Sequence, residues 1–138
     1  MVFTYQIEIQ TNGFCDIHDI TSRVNKAIEV SGIGSGLVCV FVNGSTAGIT
    51  TCEYESGLVQ DLKDLFEKII PRDKPYHHDK AWGDGNGFSH VRSSLLGPGI
   101  TIPFSEGRLL LGMWQQVILI DFDNRPRKRT VIVQVIGE

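Results

Sequence analysis

The chain has 138 residues, a net charge of −3 and a hydrophobic fraction of 41%. This length is typical of one domain with its own core, so we expect a single domain over residues 1–138. The negative charge gives no support to nucleic-acid binding, and no apolar run approaches the roughly 18 residues of a membrane span. The first residues lack the basic and apolar segments of a signal peptide, and we expect a cytoplasmic protein.

The first third of the chain predicts strand, helix and strand. Apolar and polar residues alternate over residues 3–10, which is typical of a half-buried strand. Asn12-Gly13 is a turn signal, and residues 14–17 would form the hairpin partner of this strand. Capping side chains at residues 19–21 begin a helix that runs to about Val30. Residues 36–43 are nearly all apolar, which favours a central strand buried on both faces.

The rest of the chain predicts mainly strands. Ser56 could cap a helix that carries apolar residues at helical spacing up to Ile69 and ends before Pro71. A polar loop would follow over residues 72–80. Further strands are predicted over residues 49–55, 100–104, 108–111, 117–120 and 130–136. About seven strands and two helices predict an α+β fold with a largely antiparallel sheet.

Chemistry-bearing residues concentrate after Trp82. Asp84, Asn86, His90 and Arg92 lie within nine residues, and the loop that leads into them has three glycines. Ordered glycine costs about 0.5–1 kcal/mol, so several together indicate a sharp turn or a close approach to a ligand. We expect these four side chains to converge on one polar hollow, at the start of a short apolar segment over residues 91–96.

Longer motifs resemble a known family. Four blocks of the sequence are similar to the YjbQ-like family. In chain order they are G-S-T-A-G-I-T-T-C-E-Y-E, F-S-H-V-R-S-S-L-L-G-P-G-I-T-I-P, E-G-R-L-L-L-G-M-W-Q-Q and D-F-D-N-R-P-R-K-R. The resemblance runs from about Val40 to the C-terminus. It implies a curved, largely antiparallel mixed β-sheet packed against helices, and a homotrimer with sites at subunit boundaries.

The resemblance also implies an activity. The family is associated with secondary thiamine-phosphate synthase activity, which joins an aminopyrimidine diphosphate to a thiazole phosphate and releases pyrophosphate. Many members have H-T-T-A where this chain has Gly44-Ser45-Thr46-Ala47, so an inherited three-histidine metal site would lack one imidazole. The usual G-T-W-Q is here Gly112-Met113-Trp114-Gln115.

Three residues are candidate metal ligands. His90 could bind a zinc-type ion or act as a general acid, with Asp84 beside it, or it could merely cap its segment. Neighbouring side chains of an extended loop point apart, so we select His78 rather than His77, although both could be solvated. Asp84 and Asn86 could instead hold magnesium or form an Asx turn.

Other residues are candidates for binding phosphate and a heterocycle. Arg92 is the first choice for a phosphate clamp, because a guanidinium binds phosphate with two parallel hydrogen bonds. The Ser45-Thr46 turn could form an anion-binding concavity or be an ordinary tight turn. Trp114 and Gln115 could hold a heterocycle, or belong to a core or an interface. We interpret a basic cluster as solvated or paired across a subunit boundary: Arg125, Arg127, Lys128 and Arg129.

The sequence therefore predicts an enzyme that acts on a small phosphorylated molecule at a trimer interface. His90, Asp84 and Arg92 would be catalytic, and Ser45, Thr46, Asn86 and Gln115 would bind the substrate. A divalent ion, zinc or magnesium, could be held by His90, His78 and Asp84. A metal-dependent hydrolase and a non-catalytic trimeric binder of a phosphorylated metabolite are the alternatives.

Overall fold

The structure is a computed structural model that describes all 138 residues. The strands are β1 (Val2–Thr11), β2 (Asp16–Asp19), β3 (Gly36–Val42), β4 (Ala47–Cys52), β5 (Gly99–Ser105), β6 (Arg108–Leu109), β7 (Gln116–Asp121) and β8 (Arg127–Gly137). The helices are α1 (Thr21–Ser31), α2 (Ser56–Ile69), α3 (His77–Trp82) and α4 (Gly87–Leu96). None of them is long and apolar enough to cross a membrane.

The strands form two sheets. One has five strands in the order β1-β8-β3-β5-β6, and the other has three in the order β2-β7-β4. Every strand pair is antiparallel. The prediction of an α+β fold with a largely antiparallel sheet is therefore confirmed.

Two apolar cores hold these layers together. The larger core lies between the five-stranded sheet and a layer made by α1 and one face of the three-stranded sheet. The smaller core lies on the other face of the three-stranded sheet, where Ile118 and Ile120 pack near Phe66 of α2. The strand with both faces buried is thus β7 rather than β3 as predicted. In β3 only one face is buried, and Leu37 and Phe41 lie about half exposed on the uncovered outer face of the large sheet.

The predicted hairpin between β1 and residues 14–17 is wrong. The neighbour of β1 is β8, while β2 pairs with β7 in the other sheet. Three consecutive residues with positive φ separate the two strands: Gly13 at 77°, Phe14 at 55° and Cys15 at 62°. Left-handed conformations in succession redirect the chain, so it leaves the first sheet instead of folding back along β1.

The helices differ from the sequence prediction in three respects. The N-cap of α2 is Glu55, whose carboxylate accepts hydrogen bonds from the N–H groups of Gly57 and Leu58, rather than Ser56. Helix α3 begins within the predicted polar loop and runs two residues past it, and the predicted short apolar segment lies in the second half of α4. Both missed helices matter, because they carry His78 and His90.

Helix α4 lies directly against β4. A Cβ on Gly48 would lie 2.7 Å from Cδ2 of Leu96 and 2.8 Å from the carbonyl oxygen of Gly97. The hydroxyl of Ser93 donates to the carbonyl of Ala47 at 2.6 Å. This close contact fixes the helix, and with it His90, relative to the turn between β3 and β4.

Candidate functional site

Side chains from four segments line a surface cavity of about 370 Å³. The segments are the β3–β4 turn, α3, the start of α4 with the loop before it, and β8. The lining residues are Gly44, Ser45, Thr46, His78, Trp82, Asp84, Asn86, His90, Arg127 and Arg129. Six of the residues selected from the sequence therefore meet in one place: Ser45, Thr46, His78, Asp84, Asn86 and His90.

A buried ion pair holds Arg129, which lines the cavity, in place. Nε of Arg129 donates to Oδ2 of Asp121 at 2.6 Å, and Nη2 donates to Oδ1 of the same carboxylate at 2.9 Å. The hydroxyl of Thr46 accepts a further hydrogen bond from Nη2 and donates to Oδ2 of Asp123 at 2.9 Å. Because Asp121 is fully buried and Arg129 is 7% exposed, this pair holds the guanidinium rigidly.

A second ion pair lies beside the first. Nε of Arg127 donates to Oδ2 of Asp123 at 3.0 Å, and Nη2 of Arg127 lies 2.9 Å from the same oxygen. Burial acts to raise the pKa of Asp123, but hydrogen bonds from the Asn124 N–H, Thr46 and Asn86, with the charge of Arg127, together outweigh burial and lower this pKa. Asp123 is therefore ionised at neutral pH and anchors Arg127 at the cavity wall.

The two histidines of the cavity are in contact. The ring centroids of His78 and His90 are 4.2 Å apart. Helices α3 and α4 are joined by the carboxylate of Asp79, which accepts a hydrogen bond from the N–H of Gly87 at 2.9 Å. Nδ1 of His78 is buried and has no hydrogen-bond partner. A buried polar atom without a partner costs free energy in the folded chain.

Asn86 presents a second buried atom without a partner. Its Nδ2 donates to Oδ1 of Asp123 at 3.3 Å, which fixes the orientation of the amide because a carboxylate can only accept. Its Oδ1 is buried and accepts no hydrogen bond. The side chain is 4% exposed and lines the cavity, but this oxygen lies beneath the cavity surface.

The predicted metal ligands share the cavity without forming a preorganised metal site. His78, Asp84 and His90 all line it. However, the structure contains no group of three or more His, Cys, Asp or Glu side chains that could hold a metal ion. An ion bound here would need further ligands from a substrate.

The pKa of His90 is lowered. Burial is the main cause, and the neighbouring His78 and Arg127 add to it, while Asp123 and Asp84 oppose it. The unfolded chain therefore binds a proton at His90 at a higher pH than the folded chain. We expect stability to fall as the pH drops below about 6.5, the ordinary value for histidine, and to be unaffected by His90 above it.

The variant His90→Gln isolates this contribution. Its free energy of unfolding, measured by guanidinium titration between about pH 5 and pH 7.5, should decline less on acidification than that of the wild type. Parallel curves for the two proteins would show that His90 titrates normally.

Two residues selected from the sequence lie elsewhere. Arg92 follows His90 by two positions, which places it roughly 200° around the axis of α4. It is 1% exposed and donates to the carbonyl of Ile70 and to Glu67 at 2.9 Å. Arg92 therefore ties α4 to the end of α2 instead of facing the cavity. Gln115 does not line the cavity either. It lies just before β7, and its Nε2 donates to the hydroxyl of Thr51 in β4 at 3.0 Å.

Three further residues also differ from expectation: Trp114, Arg127 and Arg129. Trp114 is 68% exposed, which excludes the core position that we considered for it. Arg127 and Arg129 are neither fully solvated nor shown in contact with another subunit: they line the cavity, each paired with a buried aspartate, whereas Arg92 does not line it. A signal for them exists in the sequence. Side chains two residues apart on a strand share a face. The two aspartates, Asp121 and Asp123, and the two arginines, Arg127 and Arg129, both have this spacing, which would let them pair.

Comparisons with known proteins cover the whole chain. A family profile described as "UPF0047 protein YjbQ-like" matches residues 5–138. A UPF0047 protein from Methanothermobacter thermautotrophicus is 36% identical over 137 residues, which are 99% of this chain and 94% of that protein. A UPF0047 protein from Archaeoglobus fulgidus is 34% identical over 131 residues, which are 95% of this chain and 99% of that protein.

Solved structures share the fold. A YbjQ-like protein of unknown function from Sulfolobus solfataricus superposes with a TM-score of 0.90 at 29% identity, covering 100% of both chains. A YjbQ/UPF0047 family protein from Clostridium acetobutylicum gives a TM-score of 0.88 at 33% identity, covering 96% of this chain and 99% of the other.

Proposed function

Since the chain belongs to the YjbQ-like UPF0047 family, we propose that it is an enzyme whose cavity between α3, α4 and β8 binds a small phosphorylated molecule. One observation supports this most directly: Arg127, Arg129 and the His78–His90 pair line the same cavity. Guanidinium groups are strong donors to phosphate oxygens, and ion pairs with buried carboxylates hold both of them in place.

In its sharper form, the proposed reaction is that of a secondary thiamine-phosphate synthase. The CH₂–O bond of the aminopyrimidine diphosphate breaks, and pyrophosphate leaves with the bonding electron pair. The ring nitrogen of the thiazole phosphate then donates its own electron pair to the CH₂ carbon, which gives thiamine phosphate. Arg127 and Arg129 would compensate the charge of the departing pyrophosphate, and His90 would orient it. Such a reaction needs positioning and charge compensation above all.

The cysteines give no support to a nucleophilic mechanism. None of the three lines the cavity. Burial raises the pKa of Cys15 to about 11, so its thiol is protonated at neutral pH and a poor nucleophile. Transfer to a carbocation-like centre needs no protein nucleophile, and it therefore suits the side chains that are present.

Magnesium fits the cavity as a companion of the substrate. Oxygen ligands from one or two side chains plus substrate phosphates are its usual environment. The carboxylate of Asp84, which lines the cavity, would hold it together with oxygens of the substrate. When bound, the ion would neutralise phosphate charge. The same arrangement of Asp84 and substrate oxygens would serve the second candidate, a metal-dependent hydrolase of phosphate esters.

A homotrimer is part of the proposal. Apolar residues on the outer face of the five-stranded sheet support a subunit contact, because Leu37 and Ile136 lie side by side in register and about half of each is exposed. Leu65 and Ile69 of α2 are similarly exposed. The cytoplasmic location expected from the sequence stays a prediction.

A turnover assay separates the proposed functions. Purified protein is incubated with Mg²⁺, the aminopyrimidine diphosphate and the thiazole phosphate, and the products are followed by ³¹P NMR. Pyrophosphate with an equal amount of thiamine phosphate supports the synthase. Release of inorganic phosphate without coupling would identify a hydrolase. Binding of either substrate without any product would leave a non-catalytic binder.

A further inference from the structure

We infer that Trp82 determines the specificity of the proposed site, because its indole stacks on an aromatic ring of the bound molecule while the cavity holds the phosphate of that molecule. This inference rests on the proposed function, since it concerns the same cavity. It places the contact with the ring at the end of α3 rather than at Trp114 or Gln115.

Trp82 is the one apolar side chain of the cavity. The other lining residues are polar, charged or glycine, and Arg127 and Arg129 among them are held by buried aspartates. The cavity volume is about 370 Å³. Sites for whole small molecules usually measure about 300–1,000 Å³, so the cavity has room for more than a phosphate group. An apolar part of a bound molecule has only the indole of Trp82 to pack against.

The indole is exposed and unpaired with any other ring or cation of the chain. Trp82 is 77% exposed although it lines the cavity, which places its ring at the mouth. It takes part in none of the aromatic or cation–π contacts of the structure. A ligand that covers the ring face removes apolar surface from water, which favours binding.

The backbone on both sides of Trp82 is held in place. Before it in α3, the carboxylate of Asp79 accepts a hydrogen bond from the N–H of Gly87 at 2.9 Å. After it, the carbonyl of Asp84 accepts a hydrogen bond from Nδ2 of Asn124 at 2.8 Å. The end of α3 is thus tied to α4 and to the segment after β7, so the indole is presented at the cavity mouth by an anchored backbone.

An indole discriminates between aromatic and alkyl groups. Two aromatic rings in an offset stack attract each other beyond the effect of the area that they bury, whereas an alkyl group gains from burial alone. Stacking of a nucleic-acid base on an aromatic side chain typically changes affinity by about tenfold. Because the rest of the cavity lining is polar, this preference depends on Trp82.

The first test compares phenyl phosphate with ethyl phosphate in a calorimeter. We expect the wild type to bind phenyl phosphate about tenfold more tightly. Trp82→Ala should bind phenyl phosphate about tenfold more weakly than the wild type and ethyl phosphate equally well. Trp82→Phe keeps a ring and should keep most of the preference. The matched control is Trp114→Phe, since Trp114 is also exposed but does not line the cavity.

Fluorescence provides a second measurement. The chain has two tryptophans, so Trp114→Phe leaves Trp82 as the only one. Phenyl phosphate should change the emission of this variant saturably, with the dissociation constant that calorimetry gives. This measurement does not depend on the folding of Trp82→Ala.

A wild type that binds both phosphates equally well, or an unchanged preference in Trp82→Ala, would overturn the inference and leave the proposed function standing. A lower oligomer mass of Trp82→Ala by light scattering would also overturn it, because the indole would then be a subunit contact. A wild type that binds neither phosphate would contradict both. If Trp82→Ala does not fold, unchanged emission of Trp114→Phe at saturating phenyl phosphate would show that the ring does not stack on Trp82.

Discussion

Replacing Arg129 with methionine is expected to lower the free energy of unfolding by about 3–5 kcal/mol, the usual cost of removing one partner from a buried ion pair. Asp121 is fully buried and loses both of its hydrogen bonds from this guanidinium. Asp123 keeps Arg127 but loses a positive charge 3.8 Å away. The variant therefore leaves negative charge in the protein interior without full compensation.

Guanidinium denaturation measures this effect, with Lys128→Met as the matched control. Lys128 is the next residue along β8, but its ion pair with Glu8 lies at the surface, where such pairs contribute little. A double variant that also carries Asp121→Asn should lose less stability than the sum of the two single variants, because the residues are in direct contact. Near-wild-type stability of Arg129→Met would refute the network as the support of the cavity.

His90→Gln is expected to reduce kcat/KM for pyrophosphate release by about 10²-fold, because His90 orients the pyrophosphate in the proposed reaction and misplacement of a reacting group costs about that much. His90 lies on α4 facing the cavity and against the ring of His78. Glutamine keeps a polar side chain of similar size, so the fold should persist while the imidazole is lost.

The matched control is His77→Gln. His77 precedes the cavity residue His78 but is exposed and does not line the cavity. Both variants should retain the mass of the wild type by light scattering, which we expect near three times the chain mass of 15.3 kDa. Equal losses in the two variants would show that the effect is not specific to the cavity, and full activity of His90→Gln would remove His90 from the mechanism.

Most strands were predictable because their pattern is local. Alternation over residues 3–10 indicated β1, and its period of two follows directly from burial of one face. Which strands pair with each other is not determined by a local pattern. The sequence near Asn12 contains a turn signal, yet Phe14 and Cys15 adopt left-handed conformations and send the chain to a second sheet. Likewise, an apolar run predicted that β3 would be buried on both faces, whereas β7 has that position.

The short helices were missed for a physical reason. With six residues, α3 is too short to show a helical period. In α4, serine, histidine and glycine reduce the helix propensity, and packing on β4 stabilises the helix instead. Because α4 was missed, Arg92 was expected beside His90, although two positions along a helix point to different sides.

The candidate site was predictable where its residues are neighbours in sequence. Asp84, Asn86 and His90 belong to one short stretch, and the structure keeps them together. Arg127 and Arg129 enter the cavity only because β8 begins beside the end of β7, where Asp121 and Asp123 lie. No local pattern specifies that contact, so the sequence analysis selected Arg92 and gave no site role to Arg127 and Arg129.

The most direct test of the proposed binding cavity is a pyrophosphate titration followed by NMR of the histidine rings. The chain has four histidines, of which His78 and His90 line the cavity, while His18 is bound to Asp16 and His77 lies outside the cavity. At constant pH, the ring signals of His78 and His90 should shift together and saturate, while those of His18 and His77 stay in place. Saturable binding that leaves His78 and His90 unmoved would contradict a phosphate site in this cavity.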